Sequence, residues 1–332
     1  MATGVKTKVQ GIRISKTGEA DVLKLEDYEL PAPGPGEALI RLHAAGLNFL
    51  DIYQRRGSLG YSLPLPYTPG HEGAGVVEQV GEGVTVVKPG DRVAYTSVLG
   101  SYSQAIIAPA DKLVILPSEL SFEQGAAFPL QGMTAHYLLH EYHQIKKGDT
   151  VLIHAAAGGM GLLLVQWAKH FGAEVFGTVS NEEKAKRAKE AGADHVINYT
   201  EKDFVAEIKR LTNDKGVDFI IDGVGKDTFA KNLQAVATRG HVVIFGAASG
   251  VADPVVPNAL MSRAITVSGG SLYNFLRDRD ELLKRANDVL AGIKEGWLKL
   301  TIDHVLPLGE AAKAHALLED RKTIGKVVLK CN

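Results

Sequence analysis

Apolar residues along the chain fall into short runs separated by polar stretches, and the spacing of those runs changes once. Before about residue 115 the runs are close together and punctuated by Gly, Pro and Asp. Residues 9–46 read as β-rich. Residues 31–36 form a rigid proline-glycine turn, 38–44 alternate in polarity, and Gly46 ends that strand. Residues 48–57 read as one short helix, with Asn48 as N-cap and Gly57 as its stop. A proline-rich loop, 61–69, follows. Short strand candidates then come at 76–80, 84–87, 92–95, 102–107 and 112–115, with turns at Gly81-Glu82-Gly83 and Lys88-Pro89-Gly90-Asp91.

At Ser121 the character changes. Ser121-Phe122-Glu123-Gln124 fits a capping box, and Pro129 is expected to interrupt the helix that begins there. A second helical stretch covers 131–142. Strands and helices then alternate: strand 150–153, helix 162–171 stopping at Gly172, and strand 174–179. Ser180-Asn181-Glu182-Glu183 reads as another capping box, opening a helix that stops at Gly192. Strand 195–199, helix 202–211, strand 217–221, helix 229–237, strand 241–245 and a sixth strand at 265–268 complete the series. Helices at 278–293 and 310–318 and a closing strand at 326–329 end the chain. Regular alternation with β-branched strands predicts an α/β protein: a doubly wound parallel sheet beside a mostly β domain. The boundaries are placed at 1–125 and 275–332 for the β domain and 126–274 for the parallel-sheet domain.

Bulk properties narrow the function classes. A chain of 332 residues suits two domains with separate cores. With 37 basic and 38 acidic residues the net charge is -1, which favours neither nucleic acid nor an anionic membrane. Cys331 is the single cysteine, so an internal disulfide and a cysteine-based metal cluster are both excluded, and a reducing cytoplasm is the expected location. Residues 1–10 lack the apolar core of a signal peptide, and no run approaches the ~18 apolar residues of a membrane span.

The candidate chemistry centres on His154-Ala155-Ala156-Ala157-Gly158-Gly159-Met160-Gly161, set between the strand at 150–153 and the helix at 162–171. Strand, glycine-rich turn and helix form a cradle for a dinucleotide pyrophosphate: the glycines clear the approach, and the helix N–H groups face the phosphates. Cofactor choice is read at the end of the second strand, where an NAD site usually places a carboxylate. Here Thr178-Val179-Ser180-Asn181 carries none before Glu182. Hydroxyl, amide and ammonium donors from Ser180, Asn181 and Lys184 suit a 2′-phosphate, which points to NADPH.

With these motifs in hand, the chain resembles the quinone oxidoreductase branch of the medium-chain dehydrogenase/reductase superfamily, zeta-crystallin-like enzymes included. The resemblance runs over nearly the whole length and is strongest at 46–53, 70–77, 155–161, 180–184 and 196–199. It implies a GroES-like catalytic domain, completed by the C-terminal segment, around a Rossmann cofactor domain. It also implies a homodimer joined through the cofactor-domain sheet edges, here at 265–268. By the same resemblance Phe49, Leu50, Asp51, Ile52 and Tyr53, beside Asn48, approach the nicotinamide end. Gly158, Gly159, Met160 and Gly161 take the pyrophosphate, and Ser180, Asn181, Lys184 and Tyr199 surround the 2′-phosphate. Val224, Phe245, Gly246, Tyr137 and Thr134 lie along the cofactor, Arg321 reaches it from the C-terminal segment, and Gly270, Ser271 and Leu272 match a less distinctive segment.

Zinc alcohol dehydrogenases of the same superfamily bear a ligand at the histidine of Gly70-His71-Glu72. Catalytic zinc needs three protein ligands, and the two cysteine positions correspond here to Asn48 and to the neighbourhood of Leu130. His71 and Glu72 are therefore expected to bond or pack within the β domain, and no metal site is assigned. Hydride from NADPH then needs an acceptor that is already electrophilic, a quinone or an α,β-unsaturated carbonyl. Tyr53 is the candidate hydrogen-bond donor to the acceptor oxygen, helped by Asn48. Three outcomes stay open: a quinone reductase, an enone or 2-alkenal double-bond reductase, and a crystallin-like NADPH-binding protein of low turnover.

Overall fold

The computed structural model describes residues 6–332, so the first half of the 1–10 stretch lies outside the described residues. In chain order the first elements are β1 (Thr7–Arg13), β2 (Lys24–Leu30), β3 (Glu37–Gly46), α1 (Phe49–Arg56), β4 (Glu72–Val80), β5 (Arg92–Thr96), β6 (Ala105–Pro109) and β7 (Leu113–Ile115). There follow α2 (Phe122–Gly125), α3 (Pro129–Tyr137), β8 (Thr150–Ile153), α4 (Gly159–His170), β9 (Glu174–Val179), α5 (Glu182–Glu190), β10 (His195–Asn198) and α6 (Phe204–Leu211). The last are β11 (Val217–Asp222), α7 (Phe229–Ala235), β12 (Val236–Ile244), β13 (Thr266–Gly269), α8 (Arg279–Glu295), β14 (Ile302–Pro307), α9 (Ala311–Glu319) and β15 (Lys326–Lys330).

Two units divide the chain: residues 1–130, 278–286 and 302–332 form one, and 131–277 with 287–301 the other. In the first, β1 and β2 pair as an antiparallel hairpin, and a larger sheet runs β14-β15-β3-β4-β5-β7, with β6 also on β3. The C-terminal strand thus completes the N-terminal sheet: β15 pairs antiparallel with the end of β3, Leu329 opposite Ala45. Ile40, Leu42, Val77, Tyr95, Tyr102 and Leu329 belong to one buried cluster there.

In the second unit all six strands are parallel, in the order β10-β9-β8-β11-β12-β13. The chain builds outward from β8 to β10, then restarts on the other side of β8. Strands β8 and β11 flank the reversal, where the crevice outside the carboxyl ends of such a sheet takes ligands. Val151, Leu152 and Ile153 are fully buried, as expected of a central strand covered on both faces.

Several boundaries differ from the sequence expectation. Residues 84–87 are not a strand: Val77 hydrogen-bonds across to Asp91 and Gly90, so the chain between them is looped out without an edge to join. Pro129 opens α3 instead of interrupting a helix, because a first-turn position needs no N–H. The helix after β9 is capped by Asn181, whose side chain accepts from the Lys184 N–H at 2.9 Å, not by Ser180 one residue earlier. Strand β14 escaped the pattern because its half-buried positions mix Ile302 and Leu306 with His304, while Val305 faces out.

Candidate active site

The glycine turn follows β8 directly. Ala155 adopts a left-handed φ of 50°, the Ala156 N–H reaches the Thr178 carbonyl at 3.0 Å, and Gly158 caps α4. A Cβ at Gly161 would stand 2.2 Å from the Ala155 carbonyl oxygen, so only glycine lets α4 approach the strand end this closely. The first-turn N–H groups of α4, at Gly159, Met160 and Gly161, have no intrahelical acceptor, which leaves the positive end of the helix open to a negatively charged group.

The neighbouring strand ends carry the other sequence candidates. Ser180 follows β9, and the Tyr199 N–H bonds to the Val179 carbonyl at 3.0 Å, bringing Tyr199 beside Ser180. Tyr199 is exposed, and Ser180 and Lys184 are half-buried. Beyond β11, Val224 donates its N–H to Asp222 at 2.7 Å. The Phe245 N–H bonds to the Asp222 carbonyl at 3.0 Å, so Val224, Phe245 and Gly246 gather at adjacent strand ends. Thr134 and Tyr137 are buried on α3, and the Tyr137 hydroxyl donates to the Gly270 carbonyl at 3.1 Å. Gly270, Ser271 and Leu272 are thus drawn to the same element, with Leu272 buried.

In the first unit, α1 leaves Phe49, Leu50 and Tyr53 half-buried and buries Asp51, Ile52, Gln54 and Arg55. The Phe49 and Tyr53 rings lie 6.1 Å apart, and Tyr53 stacks on Tyr61 at 5.9 Å. Behind the helix runs a buried polar chain. Arg55 grips Glu319 through two hydrogen bonds of 3.0 and 2.7 Å and donates to His315 Nδ1 at 3.0 Å. An arginine only donates, so His315 carries its hydrogen on Nε2 and gives it to the Tyr102 hydroxyl at 3.2 Å. Tyr102 in turn donates to Asp51 at 3.0 Å, and Asp51 accepts the Asn48 N–H at 2.9 Å. Asp51 therefore pins the helix start from behind. Arg321 lies elsewhere in this unit, exposed just past α9 with a left-handed φ of 57°.

A second cluster lies at the same helix start. The Asn48 amide donates to Glu72 at 2.9 Å and accepts from Lys326 at 2.8 Å; Lys326 also bonds Glu72, and the Leu130 N–H reaches the other Glu72 oxygen at 2.7 Å. His71 turns away to Gln54 at 2.8 Å.

Comparison with known proteins places this arrangement. Residues 34–118 match the family described as alcohol dehydrogenase GroES-like domain, and residues 159–288 that described as zinc-binding dehydrogenase. The quinone oxidoreductase of Pseudomonas aeruginosa is 41% identical over 96% of this chain and 98% of its own length. The 2-haloacrylate reductase of a Burkholderia species is 42% identical over 95% and 97%. The crystal structure of Escherichia coli quinone oxidoreductase complexed with NADPH matches with a TM-score of 0.93 at 40% identity, covering 97% of this chain and 99% of that one. The chain belongs to the quinone oxidoreductase branch of the medium-chain dehydrogenase/reductase superfamily.

That membership raises the zinc question of the wider superfamily, and the residues present do not fit the metal. Among the described residues no group of three or more His, Cys, Asp or Glu is placed to hold an ion. The Asn48 position is bonded to a buried ammonium, the Leu130 position offers only backbone, and His71 is held by an amide. A quinone oxidoreductase with Lys326 there already has a cation against Glu72. Lys326, Arg55, His315 and Tyr102 were not among the sequence candidates: a lysine in Lys-Val-Val-Leu reads as an exposed position of an alternating strand, and nothing local marks its burial.

Burial sets the acid–base behaviour of this region. It pushes His71 down to about 4, and burial followed by the nearby Arg55 charge pushes His315 down to about 3. Burial pushes Asp51 up to about 7, against its hydrogen bonds from Asn48 and Tyr102. The signs oppose. Unfolded histidines bind protons near pH 6.5 that the folded ones refuse, so their contribution is intact above that value and is lost as pH falls toward 4, by roughly 3 kcal/mol for His71. Folded Asp51 stays protonated where the unfolded acid ionises, so its contribution is lost as pH rises from 3.8 toward 7. Asp51→Asn is therefore expected to make stability fall more steeply between pH 6.5 and 4.5. Denaturant unfolding at several pH values checks this; an unchanged slope would show that Asp51 does not oppose the histidines.

Proposed function

We propose that this protein is a zinc-independent oxidoreductase that reduces quinones with NADPH. What carries the proposal is that the zinc-ligand positions hold no ligand set, with Asn48 bonded to Lys326 and Glu72 and His71 to Gln54, in a chain about 40% identical, end to end, to quinone oxidoreductases. Bound NADPH supplies a hydride from its nicotinamide ring. Without a Lewis acid to polarise it, the acceptor must be electron-poor already, as a quinone or an activated alkene is.

The residues divide the work by position. Gly158, Gly159, Met160 and Gly161 hold the pyrophosphate on the α4 N-terminus. Ser180, Asn181, Lys184 and Tyr199 take the 2′-phosphate. Thr134, Tyr137, Val224, Phe245, Gly246 and the segment Gly270, Ser271 and Leu272 are assigned to the length of the cofactor, and Arg321, beyond α9, is assigned to it as well. Phe49, Leu50 and Tyr53, half-buried on α1, are assigned to the nicotinamide end together with the buried Asp51 and Ile52. The Tyr53 hydroxyl donates a hydrogen bond to the acceptor oxygen. Asn48, its amide committed to Glu72 and Lys326, acts by fixing where that helix begins.

We assign the protein to the cytoplasm, on the single cysteine of its sequence, and read it as a homodimer. Among the described residues strand β13 pairs with β12 alone, and Val251, Val256 and Met261 are exposed in the segment leading to it. NADPH oxidation with 1,4-benzoquinone or 9,10-phenanthrenequinone tests the activity. No quinone-dependent oxidation would remove it and leave a low-turnover NADPH-binding protein. The 42% identical 2-haloacrylate reductase supports a second reading, saturation of an activated C=C, which product analysis with a simple enal separates. Lys184→Ala is expected to raise the KM for NADPH about tenfold and that for NADH little, since only the former carries the 2′-phosphate. Equal effects on both would contradict the assignment of that pocket.

A further inference from the structure

Beneath the glycine turn runs a buried polar chain to which hydride transfer assigns no task. Asp222, at the end of β11, accepts from the Val224 N–H at 2.7 Å, the Gly225 N–H at 3.1 Å, the Thr228 hydroxyl at 2.8 Å and the Asn232 amide nitrogen at 2.6 Å. With its nitrogen committed to that carboxylate, Asn232 turns its oxygen to His154 Nε2 at 2.7 Å. An amide oxygen only accepts, so Nε2 carries the hydrogen. Burial holds the His154 pKa down, so the ring is neutral and Nδ1 is bare. It accepts from the Thr178 hydroxyl at 2.9 Å, and the Thr178 oxygen in turn accepts the Ala155 N–H at 3.3 Å. Every donor points one way, from Ala155 to Asp222.

The links sit at the carboxyl ends of three strands. His154 and Ala155 follow β8, Thr178 lies at the end of β9, and Asp222 ends β11; Asn232 bridges from α7. Each strand end leads into a loop that holds a different part of the nucleotide: the Gly158–Gly161 turn, the Ser180–Lys184 segment and Val224. Apolar side chains of similar volume would pack the same space without fixing the loops to one another, because dispersion has no direction. The chain also holds Ala155 at its positive φ, a conformation a non-glycine residue adopts at a cost.

We propose that Thr178, His154, Asn232 and Asp222 are positioning residues that lock the three cofactor loops in register before the nucleotide binds. This rests on the assignment of the glycine turn to NADPH. The test compares NADPH with 2′,5′-ADP, a fragment that spans the 2′-phosphate loop and part of the turn but not the Val224 loop. Asn232→Leu cuts the tie to the Val224 loop: the Kd for NADPH is expected to rise about tenfold and that for 2′,5′-ADP to stay within about twofold. Thr178→Val cuts the tie between turn and 2′-phosphate loop, so both ligands weaken about tenfold, and Thr178→Ser, which keeps the hydroxyl, binds both like the parent. Equal losses of both ligands in Asn232→Leu, or no loss in either variant, would overturn the proposal. Should Asn232→Leu fail to fold, the Val/Ser pair at Thr178 decides alone, and equal behaviour of the two overturns it. Failure of the unmodified protein to bind NADPH would instead overturn the assignment of the turn.

Discussion

Gly161→Ala is expected to remove most of the NADPH affinity and several kcal/mol of stability. The new Cβ would lie 2.2 Å from the Ala155 carbonyl oxygen and 2.7 Å from the Ala156 backbone, and neither can rotate aside. The surrounding hydrogen bonds fix both partners: Gly158 N–H to the Ala155 carbonyl at 2.9 Å, Leu162 N–H to the Gly158 carbonyl at 2.9 Å and Ala156 N–H to the Thr178 carbonyl at 3.0 Å. Relief requires lifting the first turn of α4 off the strand end. Overpacking of this kind costs about 1–3 kcal/mol where side chains can adjust, and more where only backbone can. The displaced N–H groups would also lose their aim at the pyrophosphate, for an expected loss of about a hundredfold or more in affinity. The neighbouring glycines supply a graded control. At Gly159 the Cβ meets the end of the Gln131 side chain at 2.5 Å, which can swing away, and at Gly158 the nearest atom is 3.3 Å distant. Stability losses should therefore rank Gly161 above Gly159 above Gly158. Denaturant unfolding and NADPH titration of the three alanine variants check the order, and equal losses would show that close helix–strand packing is not what the glycines serve.

The second large effect is expected at Lys326→Met. Glu72 is fully buried, and its oxygens are shared among the Lys326 ammonium, the Asn48 amide and the Leu130 N–H. Removing the ammonium leaves a carboxylate without a countercharge in a place water does not reach, which typically costs ~3–5 kcal/mol. Adding Glu72→Gln removes the stranded charge, so the double variant should be more stable than Lys326→Met alone. That non-additivity distinguishes a broken ion pair from lost packing. Because Asn48 loses a partner at the start of α1, quinone reduction should fall about tenfold or more even at a temperature where the variant is folded. A variant as stable as the parent would show that the pair contributes nothing net.

The parts of this protein most legible in the sequence are those whose cause is local. The runs 150–153 and 174–179 are strands over those same residues, because buried parallel strands need continuous apolar side chains. The turn at 154–161 is legible because glycines are required wherever backbone must approach backbone, and Gly57 stops α1 for a different reason, a φ of 63° that glycine adopts without strain. Failures also had local causes. Val84-Thr85-Val86-Val87 has strand composition but no partner edge, and Ser180 fits a cap that Asn181, one residue on, provides.

The α/β class, the placement of the glycine turn, the lack of a carboxylate at the end of the second strand and the absence of a cysteine ligand set all follow from the order of residues along the chain. Each depends on residues within a few positions of one another, where propensity and steric rules act directly. It takes the folded chain to show that Lys326 meets Asn48 and Glu72, that Arg55 reaches Asp51 through His315 and Tyr102, and that His154 is tied to Asp222 through Asn232. Those contacts join residues up to 278 positions apart. Their energies depend on burial and on the direction of each donor, and both exist only once the chain has closed on itself.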